Sequence, residues 1–308
     1  MNLVLQEGVN GLVQGSVYAL IALGYTMVYG IVGLINFAHG DIVMIGALSA
    51  ASLLAALLGL HLPWWGAWAL AATGAMLLCM ALGWSIERLA YRPLRRAPRL
   101  APLITAIGVS ILLQNIALLL WGRGFIALPE SFSNQPWLLG GAVRITPVQV
   151  AILGLCAVLM LGLLILVQRS ALGRSMRAVA QNADAARLMG IDVDRTIARA
   201  FVIGSALAAV AGLMLLADYG QGDAAMGFRW GLKAFSAAVL GGIGNIGGAV
   251  LGGILLGLIE SFGAAYLGTW TGGVLGSQYE DVFAFMMLIA VLVLRPSGLL
   301  GRPAVERA

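Results

Sequence analysis

Lysine is almost missing from this chain. Of its 18 basic residues, 17 are arginine and the one lysine is Lys233. Charge of either sign is scarce at 10% of 308 residues, where an ordinary soluble domain carries about 25%. Because the lysine follows Leu232, no G-K-[ST] phosphate loop can be written, and ATP binding through a P-loop is excluded. The two histidines, His39 and His61, are too few for a histidine-built zinc site, and no H-E-x-x-H occurs. A G-x-S-x-G nucleophile elbow is absent as well. The two cysteines, Cys79 and Cys156, sit inside apolar runs and read as buried packing residues, with no disulfide and no metal. An enzyme has no residues to stand on here, and no cofactor or metal is expected.

Apolar residues are what the chain does have: 61% of it, at a mean hydropathy of +0.96. They come in long blocks, roughly 8–35, 42–60, 64–86, 101–121, 147–168, 200–217, 233–262 and 281–294. A helix needs about 20 apolar residues to cross the hydrocarbon core of a membrane. Lipid offers the backbone no hydrogen-bond partner, so spans are helices or closed barrels. The period-2 alternation of a barrel is absent. The reading is therefore an all-α, polytopic transmembrane helical bundle of about eight membrane segments, forming one domain over 1–308. The N-terminus lacks a basic region and a small-residue cleavage site, so the first block is expected to be retained.

Charge between the blocks sets the topology. Segment 87–100 holds Arg88, Arg92, Arg95, Arg96 and Arg99 against Glu87 alone, and 169–199 holds six arginines. Both are expected inside, because cytoplasmic loops are enriched in Lys and Arg. The same rule accounts for the net charge of +5, so lipid rather than nucleic acid is the expected partner. The tail beyond 294, with Arg295, Arg302 and Arg307, belongs inside too. Parity then requires that one of the last two blocks make no net crossing. The candidate is 233–262, broken by Gly241, Gly242, Gly244, Gly247 and Gly248, read as two helices that enter and return or as one broken pair. Residues 242–247 also match G-x-G-x-x-G, but the flanks are membrane-apolar and no βαβ unit surrounds them, so dinucleotide binding is rejected. The first 87 residues leave the side of the N-terminus open.

Polar groups inside apolar blocks are costly and rare. Asn36, His39 and Asp41 cluster between Gly30, Gly33 and Gly40, where a helix break is expected. Two readings stand. Broken helices near the membrane midplane expose backbone groups and helix ends that can hold a zwitterion, and a surface loop with ordinary turn chemistry would look the same. On the first reading Asn36 and His39 line a substrate pathway together with the break at Gly241, Gly242, Gly244 and Gly248. Gln114 and Asn115 read as interhelical hydrogen-bonding groups, and Glu260 as the outer end of its helix. Glycines four residues apart (Gly11 and Gly15, Gly244 and Gly248, Gly248 and Gly252, Gly253 and Gly257) predict close helix packing. In the second Arg-rich loop, Met176, Val179, Ala180 and Ala183 follow i, i+3, i+4, i+7 spacing, which predicts an amphipathic helix. Gly190 then ends the stretch Asp184–Gly190.

Five blocks together resemble one family. Ile35 to Asp41 is similar to the N-F-A-H-G signature of LivH-type branched-chain amino acid permeases. Ser85–Arg88 with Tyr91–Arg95 resembles that family's first cytoplasmic motif. Gly173–Ala178 and Asp184–Gly190 resemble its ATPase-contacting loop, the latter with Asp184 where the E-A-A-x-x-x-G coupling motif of ABC importers has Glu. Lys233–Ala249 and Arg295–Gly301 complete the order, which runs over residues 11–303. The resemblance implies an inner-membrane permease subunit that imports leucine, isoleucine and valine. It also implies a sister permease, two cytoplasmic ATPase subunits that bind the ATP, and a periplasmic binding protein. ATPase coupling is then expected of Arg174, Arg177, Asp184, Ala185, Ala186 and Gly190, within a coupling loop at 169–199. Relatives carrying urea, short amides or other amino acids keep a second cargo open, and a stand-alone secondary transporter is the rival of a different class.

Overall fold

The computed structural model describes residues 2–95, 97–98, 100–129, 135–139, 143–272 and 279–301. Arg96, Arg99, Arg302 and Arg307, named above, lie outside the described residues. The chain is all-α in character, with only four strands of two or three residues among the described residues. The helices are α1 (Asn2–Val32), α2 (His39–Gly59), α3 (Trp64–Ile86), α4 (Leu100–Trp121), α5 (Pro147–Arg169) and α6 (Ala171–Gln181). They continue as α7 (Ala183–Leu188), α8 (Val193–Tyr219), α9 (Met226–Gly241), α10 (Ile246–Trp270) and α11 (Glu280–Leu294). Between α3 and α4 the chain makes a π-helical turn, Glu87–Tyr91, and a 3₁₀ turn, Arg92–Leu94.

Among the described residues seven helices are long and apolar enough to cross a membrane: α1 to α5, α8 and α10. The apolar residues 284–294 of α11 form a shorter segment. The block 233–262 proves to be two helices. α9 stops at Gly241, α10 starts at Ile246, and Gly242 and Gly244 take φ of +106° and +92° in the turn between them. Asn245 caps α10 by accepting from the backbone N–H of Gly248 at 3.2 Å. The block 200–217 starts earlier than its hydropathy suggests. Asp192 caps α8 through the N–H of Arg195, so Arg195 and Arg199 lie on the helix rather than in the loop before it.

The chain divides into two compact units. One comprises Met1–Thr26, Asn134–Met160 and Lys233–Ala308. Here α10 carries glycines on two edges. A Cβ at Gly253 would stand 2.6 Å from Ala19 Cβ, and one at Gly15 would stand 2.8 Å from Ile254 Cα. On the other edge, a Cβ at Gly252 would stand 2.6 Å from Gly241 N. The four-residue glycine spacing thus lets α1 and α9 approach the α10 backbone closely, where lipid supplies no hydrophobic drive for helix association.

The other unit comprises Met27–Ser133 and Leu161–Leu232. Its centre is α2, buried along most of its length and packed on α3 and α8. A Cβ at Gly46 would lie 2.6 Å from Ala209 Cα, so α2 and α8 also meet backbone to backbone. Cys79 in this unit and Cys156 in the other are both buried, and neither is in a disulfide.

Candidate functional site

The α1–α2 connection is the break expected from Gly30, Gly33 and Gly40. Gly33 takes a φ of +69° and ends α1, and α2 begins at His39. Asn36 is only 3% exposed. Its backbone carbonyl accepts from the His39 N–H at 3.0 Å, and its Oδ1 lies 3.2 Å from the Tyr91 hydroxyl. His39 and Asp41 are buried in the first turn of α2. Asp41 accepts from Gln114 Nε2 at 3.0 Å, which makes Gln114 the interhelical group that was expected. Asn115 is not one. It donates to Ile111 O in its own helix, because that part of α4 turns it outward. Gly40 and Gly227 bring the starts of α2 and α9 together, with a Cβ at Gly227 only 2.8 Å from Asp41 Oδ1.

The second break belongs to the other unit. Gly241, Gly242 and Gly248 come together in it, and Gly244 sits in the turn. The tail 298–301 is clasped to them. The N–H groups of Leu299 and Leu300 donate to Leu240 O and Gly241 O, each at 2.9 Å, and Asn245 Nδ2 donates to Leu300 O at 2.7 Å. A Cβ at Gly242 would stand 2.7 Å from Gly301 Cα. Close backbone approach therefore requires these glycines, and the tail satisfies carbonyls that the helix end leaves open. The sequence did carry the signal, since both segments are glycine-rich and conspicuous, but nothing in it pairs the two.

Glu260 is not at the end of a helix. It lies inside α10, 2% exposed, and accepts from Tyr18 Oη at 2.5 Å, Gln14 Nε2 at 3.0 Å and Lys233 Nζ at 3.3 Å. Three donors from two other helices offset the cost of a carboxylate inside an apolar span. Sequence reasoning missed this hub, although a lone lysine and a mid-block glutamate were both on view.

In the second Arg-rich loop, α6 buries Gly173, Met176 and Val179. Ala180 is exposed, and Ala183 lies beyond the end of α6, contrary to the face proposed above. The reason is Asn182, which leaves helical geometry at φ −159° and caps α7 by accepting from the N–H groups of Asp184 and Ala185, both at 3.0 Å. Arg174 donates to Arg169 O at 3.2 Å, and Arg177 donates to Val167 O and Gln168 O. Both arginines thus hold α6 to the carbonyl end of α5, where cations are favoured. Asp184 pairs with Arg187 at 2.7 Å, and Ala186 is the buried residue of α7. Gly190, at φ +80°, ends the helix, with Ile191 N donating to Ala186 O and Gly190 N to Arg187 O. This is the glycine-terminated cap in which two otherwise open carbonyls are satisfied. Next to it Leu188 and Met189 are 89% and 81% exposed.

The two Arg-rich segments meet. Glu87, wholly buried, pairs with Arg92 at 2.9 Å and with Arg95, and Arg95 reaches Asp194 of α8 at 2.5 Å. Among the described residues no group of His, Cys, Asp and Glu could hold a metal ion.

Residues 8–292 match the family described as the permease component of the branched-chain amino acid transport system. The chain belongs to that family. The permease is 47% identical to the high-affinity branched-chain amino acid transport system permease protein LivH of Salmonella typhimurium, over 98% of this chain and 97% of that one. It is 49% identical to BraD of Pseudomonas aeruginosa, again over 98% and 97%. It is 30% identical to the probable branched-chain amino acid transport permease protein LivH of Methanocaldococcus jannaschii, over 94% and 90%. No solved structure matches the permease. With its seven candidate spans, it is a multi-pass inner-membrane protein.

Proposed function

We propose that this permease is the translocation subunit of an ATP-driven importer that carries leucine, isoleucine and valine into the cell. The observation that carries the reading is near-complete alignment, at 47–49% identity, with LivH and BraD. The subunit works without an ATP site of its own. It pairs with a sister permease, two cytoplasmic ATPases and a periplasmic binding protein.

The docking element is α7 with the turn at Gly190. Its exposed Leu188 and Met189 offer apolar side chains to an ATPase surface, and Arg174 and Arg177 fix α6 behind it. ATP binding closes the ATPase pair, moves α7 and rocks the helices between outward- and inward-open states. No covalent chemistry occurs in this chain. Asn36 and His39 line the path. A free amino acid presents one positive and one negative end, and helix termini supply complementary partial charges.

Two experiments test the reading. In cells lacking their own branched-chain uptake, the permease with its partners restores leucine entry, and isoleucine and valine compete for it while urea does not. Competition by urea alone would move the cargo to the amide class. For the path, Asn36→Leu lowers maximal uptake per assembled complex more than apparent affinity, because affinity resides in the external binding protein. Normal turnover per complex would leave Asn36 a packing residue only.

A further inference from the structure

A cavity of about 500 Å³ lies between the docking helix and the chain that leads to the Asn36 loop, walled by Arg92 and Arg95, by Asp184 and Arg187 of α7, and by Val32 and Leu34. A polar route runs around it. Asp194 follows Gly190 by four residues and stands in the first turn of α8. Its carboxylate lies 2.5 Å from Arg95 Nη1, and Nη2 of Arg95 pairs with buried Glu87. Glu87 opens the π-helical turn that Tyr91 closes. The Tyr91 ring sits 5.2 Å from Phe201 of α8, and its hydroxyl lies 3.2 Å from Asn36 Oδ1 and 3.3 Å from Ile35 O. One hydroxyl proton serves one of these two acceptors at a time.

From this we infer that the turn Glu87–Tyr91 is a relay that couples movement of α7 to the conformation of the Asn36 loop, with Glu87 and Tyr91 as positioning residues. The inference rests on the docking and pathway assignments proposed above. Single π turns inside longer helices are rare and recur at functional sites. Here the extra residue of the π turn lets both ends be met at once. Tightening the turn to α geometry would rotate the chain beyond it by about 100°. Tyr91 would then leave Asn36, or Glu87 would leave Arg95. The cavity gives α7 room to move while the charged rim stays connected. Glu87, as the fully buried member, fixes the pivot, because an unpaired carboxylate could not remain there.

The test uses the complete transporter in liposomes, with solute moved and ATP hydrolysed read in the same vesicles. Tyr91→Phe keeps the ring against Phe201 and removes only the hydroxyl. We expect unchanged assembly and hydrolysis, with solute moved per ATP lower by about fivefold, the weight of one neutral hydrogen bond. Asp194→Asn, at a half-exposed position, cuts the same chain at its other end and lowers the same ratio. The double variant falls no further than the worse single one, since independent sites would add. An unchanged ratio in Tyr91→Phe overturns the relay, and so does a multiplicative loss in the double variant. Loss of assembly with an unaltered ratio in what remains overturns it too, leaving a structural role. If the unsubstituted complex moved no solute in response to ATP, the functional reading itself would fall, and that result is seen before any variant is compared.

Discussion

Lys233 Nζ lies 3.3 Å from Oε2 of Glu260 and 2.5 Å from Oδ1 of Asp281. The only lysine of the chain is thus held between two carboxylates, one buried and one half-exposed. Removing one partner of a buried pair strands the other and costs about 3–5 kcal/mol, whereas removing both is often close to neutral. Lys233→Met should therefore sharply reduce the protein recovered folded from membranes. Adding Glu260→Gln should restore much of it. Size-exclusion profiles after heating, for both single variants and the double, decide the point. A double variant no better than Lys233→Met would show that the pair is not what holds these helices.

The glycine edges of α10 make a second, position-specific expectation. A Cβ at Gly257 would press on the backbone of α1, at 2.5 Å from Gly11 O, and a Cβ at Gly8 would meet nothing within 4 Å. Gly257→Val should destabilise by at least the ~1–3 kcal/mol of an overpacked core. Gly8→Ala should be neutral or stabilise by up to about 1 kcal/mol through helix propensity. Thermal unfolding of the two purified variants against the parent compares them directly, and equal behaviour would remove the packing account of this spacing.

Gly190 separates strain from docking. Nothing lies near its missing Cβ, yet its φ is +80°. Gly190→Ala should cost only the ~1–2 kcal/mol of a left-handed residue and leave uptake largely intact. Gly190→Trp should still assemble with the sister permease but lose the ATPase subunits, as judged by what co-purifies. Full uptake by Gly190→Trp would take the docking role away from this turn.

Topology follows from α9 and α10 running as a return pair. A single cysteine at Gly272 should react with an impermeant thiol reagent from outside only, and one at Ala183 from the cytoplasmic side only. Reaction of the Gly272 position from the cytoplasm would mean that the segment from Lys233 to Trp270 makes a net crossing after all.

The spans and the two breaks could be read from the sequence because each is a local property. Hydropathy over 20 residues marks a span, and glycines beside Asn36 or Gly241 mark its interruption. Three of the four glycine pairs were legible for the same reason, since four-residue spacing is a one-helix pattern; the pair Gly244 and Gly248 is not, because Gly244 lies in the turn before α10 at a φ of +92°. The polar pairings were not. Glu260 and Lys233 are 27 residues apart, Tyr91 and Asn36 are 55 apart, and Asn245 and Leu300 are also 55 apart. Each residue looked plausible alone, and only the helix packing selects its partner. The spacing from Met176 to Ala183 does not give one face, because Asn182 ends α6 before Ala183 and a hydrophobic period cannot see that cap.

This permease is expected to move solute only when separate ATPase subunits drive it. The direct measurement is labelled leucine uptake by liposomes containing the permease pair, with and without the ATPases, in the presence of ATP and the binding protein. Accumulation that requires the ATPases, and stops when ATP is withheld, is the predicted result. Leucine accumulation by the permease alone, driven by an ion gradient and indifferent to ATP, would contradict it and make the protein a secondary carrier.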